Sequence, residues 1–457
     1  MMAALSAPAA RKRTASPRPA PVLALLVSLL ASAAPGARAQ APPAPAGRTL
    51  ELGFEERVRT ENWDNSTDFN RKTVDARHQW RLRTRAWGRL ALGSKAEFMV
   101  GLNDESFEKS TPRQALALDE TVFETCYLDL HFADGAALKV GRQNLAKGDG
   151  FLLMDGGPLD GSRASYCNAA DLSWTAGKSR LDLLAIADPN RDLYLPRIHD
   201  KRKPLIEHDE YALGLYASDA RREHTTFEGY YFFKSEVHDT RARTNPAWQP
   251  DRAIHTLGGR AVHSPGHGLT FTAELAGQLG EQQPATDVHA WAFSGSVKKS
   301  FAQAWAKPFV LVGWTGLSGD DPATPANEGW DPLFSRWPRW SELLVYTLAA
   351  EHGATYWTNF SMGQAEVQAA PIPALNLRAT YYRLAAFHPY PGKPSVFAGG
   401  SQRGDLVEGR ADVKLNDCWR GHVVAEHMAP GSFYTDHDSG WFFRAEVVLT
   451  FKRAFGV

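Results

Sequence analysis

The 457 residues carry 51 Lys and Arg against 51 Asp and Glu, and this even balance argues against a nucleic-acid partner. Length alone suggests two or three ordinary domains, although all-β barrels often exceed that as one domain. Three scattered cysteines, Cys126, Cys167 and Cys418, are too few and odd in number for a disulfide framework.

The chain opens with Arg11, Lys12, Arg13, Arg18 and Arg38 and no acid. An apolar run from Val22 to Ala34 and the small-residue stretch Ala37-Arg38-Ala39 follow. This reads as a secretory signal peptide over residues 1–39, cut after Ala39. Its apolar run falls short of the roughly 20 residues of a membrane-spanning helix. Removing the five cations leaves 46 Lys and Arg against 51 acids, so the mature chain is slightly acidic. Residues 40–49, with the sequence APPAPAG inside them, read as a flexible lead-in.

From Leu50 onward the period is two, and amphipathic helices are missing. Strands are expected near 50–60, 76–90, 95–103, 121–132, 137–143, 165–175, 179–187, 209–218, 224–236, 253–264, 268–279, 287–299, 307–317, 355–370, 375–387, 404–415, 420–428 and 441–452. In the last, GWFFRAEVVLTFK, one face holds Phe443, Ala445, Val447, Leu449 and Phe451. The other holds Arg444, Glu446, Thr450 and Lys452. Alternation alone also fits a soluble sandwich, but the connections discriminate. Turns of a few residues such as ALGS, ADGA and AGK take every second link, while the others mostly run to a dozen residues or more. About 18 strands joined in this way predict an all-β, antiparallel transmembrane barrel of outer-membrane type over residues 50–457. Closure is required because hydrocarbon leaves no partner for an edge N–H or C=O. Fourteen Trp, 13 Tyr and 23 Phe suit interfacial girdles, with Trp80, Trp174, Trp291, Trp357 and Trp441 toward strand ends, although any one of these five tryptophans could equally be ordinary core.

Inside the barrel, the parity that turns Trp80 and Leu82 outward turns Arg77, Gln79, Arg81, Arg83 and Arg85 inward. Four guanidiniums on a lipid face would cost a few kcal/mol each near the midplane. They are therefore expected in water, with the inward acids Glu51, Glu55, Asp129, Glu408, Asp412 and Glu446. The candidate pore lining is Arg77, Arg81, Arg83, Arg85, Lys139, Arg142, Arg163, Arg410, Arg444 and Glu446. Arginine forks take carboxylates in two-point fashion, whereas in a general porin the same ladder would only shape the field.

The stretch GRQNLAKGDG (Gly141 to Gly150) has the ingredients of a phosphate cradle in the wrong order, since Gly148 follows Lys147 and no helix follows. It instead starts a long loop expected to fold inward and narrow a pore. GRQ-x-L-x-x-G-D followed by L-D-G-S-R (Leu159 to Arg163) resembles the signature of the alginate export porins. WDPLF (Trp330 to Phe334), EGRADVKLN (Glu408 to Asn416) and AEHMAPGSFY (Ala425 to Tyr434) resemble further segments of that family. Ser335 stands where the family tends to have a second proline. Leu159 and Gly161 flank Asp160 where it tends to have an aromatic and an arginine. The resemblance runs from about Leu52 to Phe451. It implies a passive outer-membrane conduit for an anionic polysaccharide such as alginate or a related uronate polymer, in contact with outer-membrane lipid and periplasmic secretion partners.

Catalytic readings find no H-E-x-x-H and no G-x-S-x-G. Glu351-His352 and Glu426-His427 lack metal-ligand spacing, and the acids at Asp320-Asp321 and Asp436-His437-Asp438 read as solvated loop tips. No enzyme and no cofactor are expected. The alternatives kept open are a general or uptake porin for small sugars or anions, and a secreted polysaccharide lyase.

Overall fold

A computed structural model describes residues 47–110, 113–116, 121–155, 166–196, 198, 208–237, 251–335, 340–352, 357–390 and 392–456. The expected signal peptide, most of the lead-in, and the segment Leu159 to Arg163 lie outside these residues. Eighteen strands form the wall. In chain order they are β1 (Arg48–Asp64), β2 (Arg77–Leu92), β3 (Ala96–Ser110), β4 (Val122–His131), β5 (Ala136–Gln143), β6 (Cys167–Ala176), β7 (Ser179–Asp188), β8 (Asp209–Asp219), β9 (Thr225–Val237), β10 (Arg252–Gly266), β11 (Leu269–Gln282), β12 (Thr286–Ser300), β13 (Phe309–Leu317), β14 (Phe360–Ile372), β15 (Leu375–Ala385), β16 (Gln402–Lys414), β17 (Trp419–Pro430) and β18 (Gly440–Gly456).

Each strand pairs antiparallel with the next, and β18 returns to β1 from Trp441↔Asp64 to Gly456↔Thr49, closing the barrel. Closure leaves the main chain of the wall with few unpaired groups, as a hydrocarbon surround demands. Side chains alternate as expected. Leu52, Phe54 and Val58 of β1 stand exposed on the outer face, while Glu55, Arg57, Arg59 and Glu61 are buried on the inner one. Leu257, Leu275 and Leu279 continue the exposed apolar belt. Among the described residues no helix is long and apolar enough to cross a membrane.

The expected strands are all present, several of them longer than their pattern suggested. β3 runs on to Ser110 and β18 to Gly456, because ladder pairing continues after the strict apolar alternation has stopped. Trp80, Trp291 and Trp441 are exposed near the long-loop rim, in keeping with a girdle. Trp357 takes the core alternative. It is buried inside the barrel and donates its indole N–H to the Ser335 carbonyl at 2.8 Å. A helix was also unexpected: α1 (Val345–His352) lies within the connection between β13 and β14.

Candidate permeation site

The loop that opens with GRQ turns into the barrel. Gly141 adopts φ +124°, and a Cβ there would sit 2.3 Å from the Cys126 carbonyl oxygen, so only glycine fits this kink at the end of β5. Arg142 then clamps the take-off. Its guanidinium donates to both oxygens of Asp192 at 2.8 and 2.7 Å, to the Phe123 carbonyl at 2.9 Å and to Asn168 Oδ1 at 3.0 Å, with the Tyr166 ring 3.8 Å away. Farther along, Lys147 reaches Asp182 on β7 at 2.9 Å and Asp171 on β6 at 3.5 Å. Asp149 meets Arg260 on β10 at 2.7 Å, and Arg260 also holds Glu228 of β9 at 2.8 Å. Asp182 lies close to the short-turn start of β7, and Glu228 close to that of β9. The loop tip therefore reaches beyond mid-height. Gly148 and Gly150, with φ +56° and +75°, permit the tight reversal there.

A second inward segment, from the connection between β13 and β14, is held at two parts of the wall. On one side, Asp331 pairs with Arg252 at 2.6 Å, and its backbone exchanges hydrogen bonds with the Gln278 amide at 2.8 and 2.9 Å. Lys234 donates to the Leu333 carbonyl at 3.0 Å. On the other side, Glu426 of β17 accepts from Ser341 Oγ at 2.6 Å and from the N–H groups of Glu342 and Leu343 at 2.9 and 3.2 Å. Arg403 grips Glu351 of α1 with two bonds of 2.8 and 2.7 Å, between the rings of Phe360 and Phe433. Arg77 lies 3.7 Å from the centre of the Tyr346 ring on α1. Burial pushes the Tyr346 phenol up in pKa, against the opposing pull of Arg77.

The two segments meet. Leu153 bridges Phe334, the Phe334 N–H donates to the Leu152 carbonyl at 3.0 Å, and Phe151 stacks on Trp330 at 6.0 Å. Leu145, Leu152, Leu153, Leu333, Phe334, Trp340, Leu343, Leu344 and Leu348 join one buried apolar cluster with inward residues of the wall. The long-loop half of the barrel thus has a packed interior.

On the wall of β1, β2, β3, β4 and β18, acids and arginines interleave. Glu61 accepts from Arg81 at 2.9 Å, Arg59 at 3.3 Å and Arg444 at 2.6 Å. Arg83 donates to Glu55 at 2.8 Å, Arg85 to Glu124 at 2.5 Å and Arg59 to Glu446 at 2.7 Å. Arg57 lies 3.5 Å from Glu105. The network extends beyond these strands, since Arg444 also holds Glu342 of the second inward segment at 2.9 Å and Arg420 of β17 holds Glu55 at 2.6 Å.

Of the residues singled out from sequence, Arg81, Arg83, Arg85, Arg444 and Glu446 come together in this ladder. Arg77 sits at its upper end beneath α1, and Arg142 belongs to the loop clamp instead. Lys139 lies over the Tyr127 ring at 3.9 Å, and Arg410 pairs with Asp412 at 2.9 Å. Arg163 lies outside the described residues. Sequence reading missed Arg57, Arg59, Glu61, Glu105 and Glu124, although the alternation EERVRTE in β1 carries the same inward parity as β2.

His208, Glu210 and Glu236 place ligand atoms within 4.8 Å of one another, the arrangement a metal ion would need. The Lys234 ammonium, 2.6 Å from Glu236 and 3.3 Å from Glu210, already serves as the cation there.

The sequence profile described as alginate export matches residues 48–441, nearly the whole barrel. The chain belongs to the alginate export family. Its GRQ and D-P-L-F segments are the two that meet inside the bore, and its Glu426-containing segment ties down the second of them. No curated protein matches the chain by sequence. Among solved structures, the barrel resembles outer-membrane porins of Pseudomonas aeruginosa. OpdQ aligns with TM-score 0.54 at 12% identity over 89% of this chain and 99% of that one. OccK2 (OpdF) in complex with glucuronate aligns with TM-score 0.54 at 11% identity over 91% and 100%. OccK5 (OpdH) aligns with TM-score 0.53 at 12% identity over 88% and 98%. Family and fold together make this chain an outer-membrane pore.

Proposed function

We propose that this pore passes an anionic polysaccharide or its oligosaccharides, alginate or a related uronate polymer, by passive diffusion, after export directed by the segment 1–39. The observation that carries the reading is the meeting of the two family segments at Leu153 and Phe334 inside the bore. An 18-stranded wall alone encloses a wide aqueous channel, and two inward loops that meet within it convert it into a narrow, shaped passage. The partly exposed guanidiniums of Arg85, Arg378, Arg410 and Arg420 offer successive places for a carboxylate to exchange with a glutamate or aspartate partner. Each such exchange is weak because a carboxylate already competes for the arginine, and weak serial sites let a chain move on. No cofactor or catalytic group is needed.

The test is single-channel recording in a planar bilayer, with purified uronate oligomers as blockers. Block that deepens with oligomer length supports polymer passage. Block by monomeric uronates and neutral sugars alike, independent of length, supports the second reading, a general or uptake porin. That reading is favoured by the depth of the inward loops, which suits small solutes, and by a similarly folded porin solved with glucuronate.

A further inference from the structure

We propose that the inner wall of β1–β3 holds one small inorganic anion of halide size against Arg83 and Asn103. Arg83 stands directly opposite Arg57 in the β1–β2 register, and like charges directly opposite on one face repel. Arg83 is 2% exposed. One of its nitrogens, Nη2, donates to Glu55, but among the described residues no acceptor reaches its Nε or Nη1. Asn103, fully buried, lies diagonally across on β3, where Arg83 pairs with Glu105 and Arg85 with Asn103. Neither atom of its amide finds a hydrogen-bond partner among the described residues.

Unmet donors on a buried charge cost more than unmet neutral donors. A neutral water molecule would accept these N–H bonds but leave the repulsion between the facing Arg57 and Arg83 unchanged. An anion accepts the bonds and also offsets that repulsion. Burial of both side chains limits the ligand to a few atoms, which excludes a sugar carboxylate. The site is therefore separate from permeation, and its test does not depend on the substrate.

Full-length protein in detergent is crystallised and soaked in sodium bromide, and bromide anomalous scattering is mapped. The expected result is a peak in contact with a nitrogen of Arg83 and with Asn103 Nδ2. In parallel, the unfolding temperature is followed with bromide or gluconate at equal ionic strength. Bromide is expected to raise it to a plateau beyond the effect of gluconate, and Arg83→Gln and Asn103→Leu are each expected to lose that extra shift. Asn103→Leu keeps every charge, so it reads the site even if Arg83→Gln assembles poorly. A map without the bromide peak, or equal stabilisation by both salts in the unsubstituted protein, overturns the proposal.

Discussion

Ser335 Oγ donates a 2.6 Å hydrogen bond to the Gly150 carbonyl across 185 residues of sequence, both groups buried within the barrel. The bond links the end of one inward segment to the tip of the other, and a proline at this position could not make it. The Ser335 N–H also donates to the Pro332 carbonyl at 2.9 Å. Ser335→Ala is expected to weaken the contact by about 1 kcal/mol, read as more frequent brief openings in single-channel traces, with heat-modifiable migration of the barrel unchanged. Ser335→Pro removes both bonds and should open the channel more often than Ser335→Ala. Equal traces for all three proteins would show that the two segments do not move relative to each other.

The tip of the first segment is the deepest inward structure described, tied to the wall by Lys147 and Asp149. Deleting residues 145–162 is expected to raise conductance and lower ion selectivity while the strands still close, since Arg142 keeps its clamp to Asp192 and Phe123. Ion conductance in planar bilayers and the unboiled gel shift are the two readouts. Unchanged conductance with an intact barrel would place the limiting constriction elsewhere.

The wall was legible in the sequence because its two solvents are so unlike. Lipid outside and charged groups inside force Leu52, Phe54 and Val58 to alternate with Glu55, Arg57 and Arg59, and the lengths of the links then fix closure. The interior was less legible, because its contacts exist only once the barrel is closed. Trp357 stays open between girdle and core by sequence, because the sequence cannot tell which side of the wall a residue next to a strand will enter. One signal of the interior is present in the sequence. SELLVYTLAA (Ser341 to Ala350) is apolar at several positions yet lies in a connection outside the lipid belt, and such a run must bury itself somewhere. It does so as α1 and the turn before it, with Leu343, Leu344 and Leu348 in the inner cluster. The arginine parity of β2 was correct, but its apparent basic excess was not a property of the wall, since the matching glutamates come from other strands.

Glu426 gathers three donors from the start of that segment: Ser341 Oγ and the N–H groups of Glu342 and Leu343. Glu426→Leu removes every acceptor and leaves these groups buried without partners, at roughly 1–3 kcal/mol each. Residues 340–344 are then expected to exchange their amide hydrogens faster by tenfold or more, and channel openings should lengthen. Glu426→Gln retains one carbonyl acceptor and should show a smaller change. Hydrogen exchange at these amides matching the unsubstituted protein in both variants would exclude Glu426 as the anchor.

Arg81 and Arg83 test whether the ladder sets ion preference or only stiffens the wall. Arg81 donates to Glu61 and Glu105, and Arg83 to Glu55. Replacing both by glutamate would set two new carboxylates against three existing ones. Loss of a buried partner alone costs about 3–5 kcal/mol, so charge reversal is expected to impair assembly and blur the reading. Arg81→Gln and Arg83→Gln, made singly, keep amide donors for the same glutamates while removing one positive charge each. If the ladder contributes to the field of the pore, each variant should shift the reversal potential toward cations and reduce block by uronate oligomers. Both effects should be larger at low salt, where the screening length grows. If the ladder is structural, the unfolding temperature should fall in each variant while reversal potential and block stay at their original values. Measuring the two quantities on the same preparation separates these outcomes, because a folding defect lowers the number of active channels without altering the selectivity of those that form.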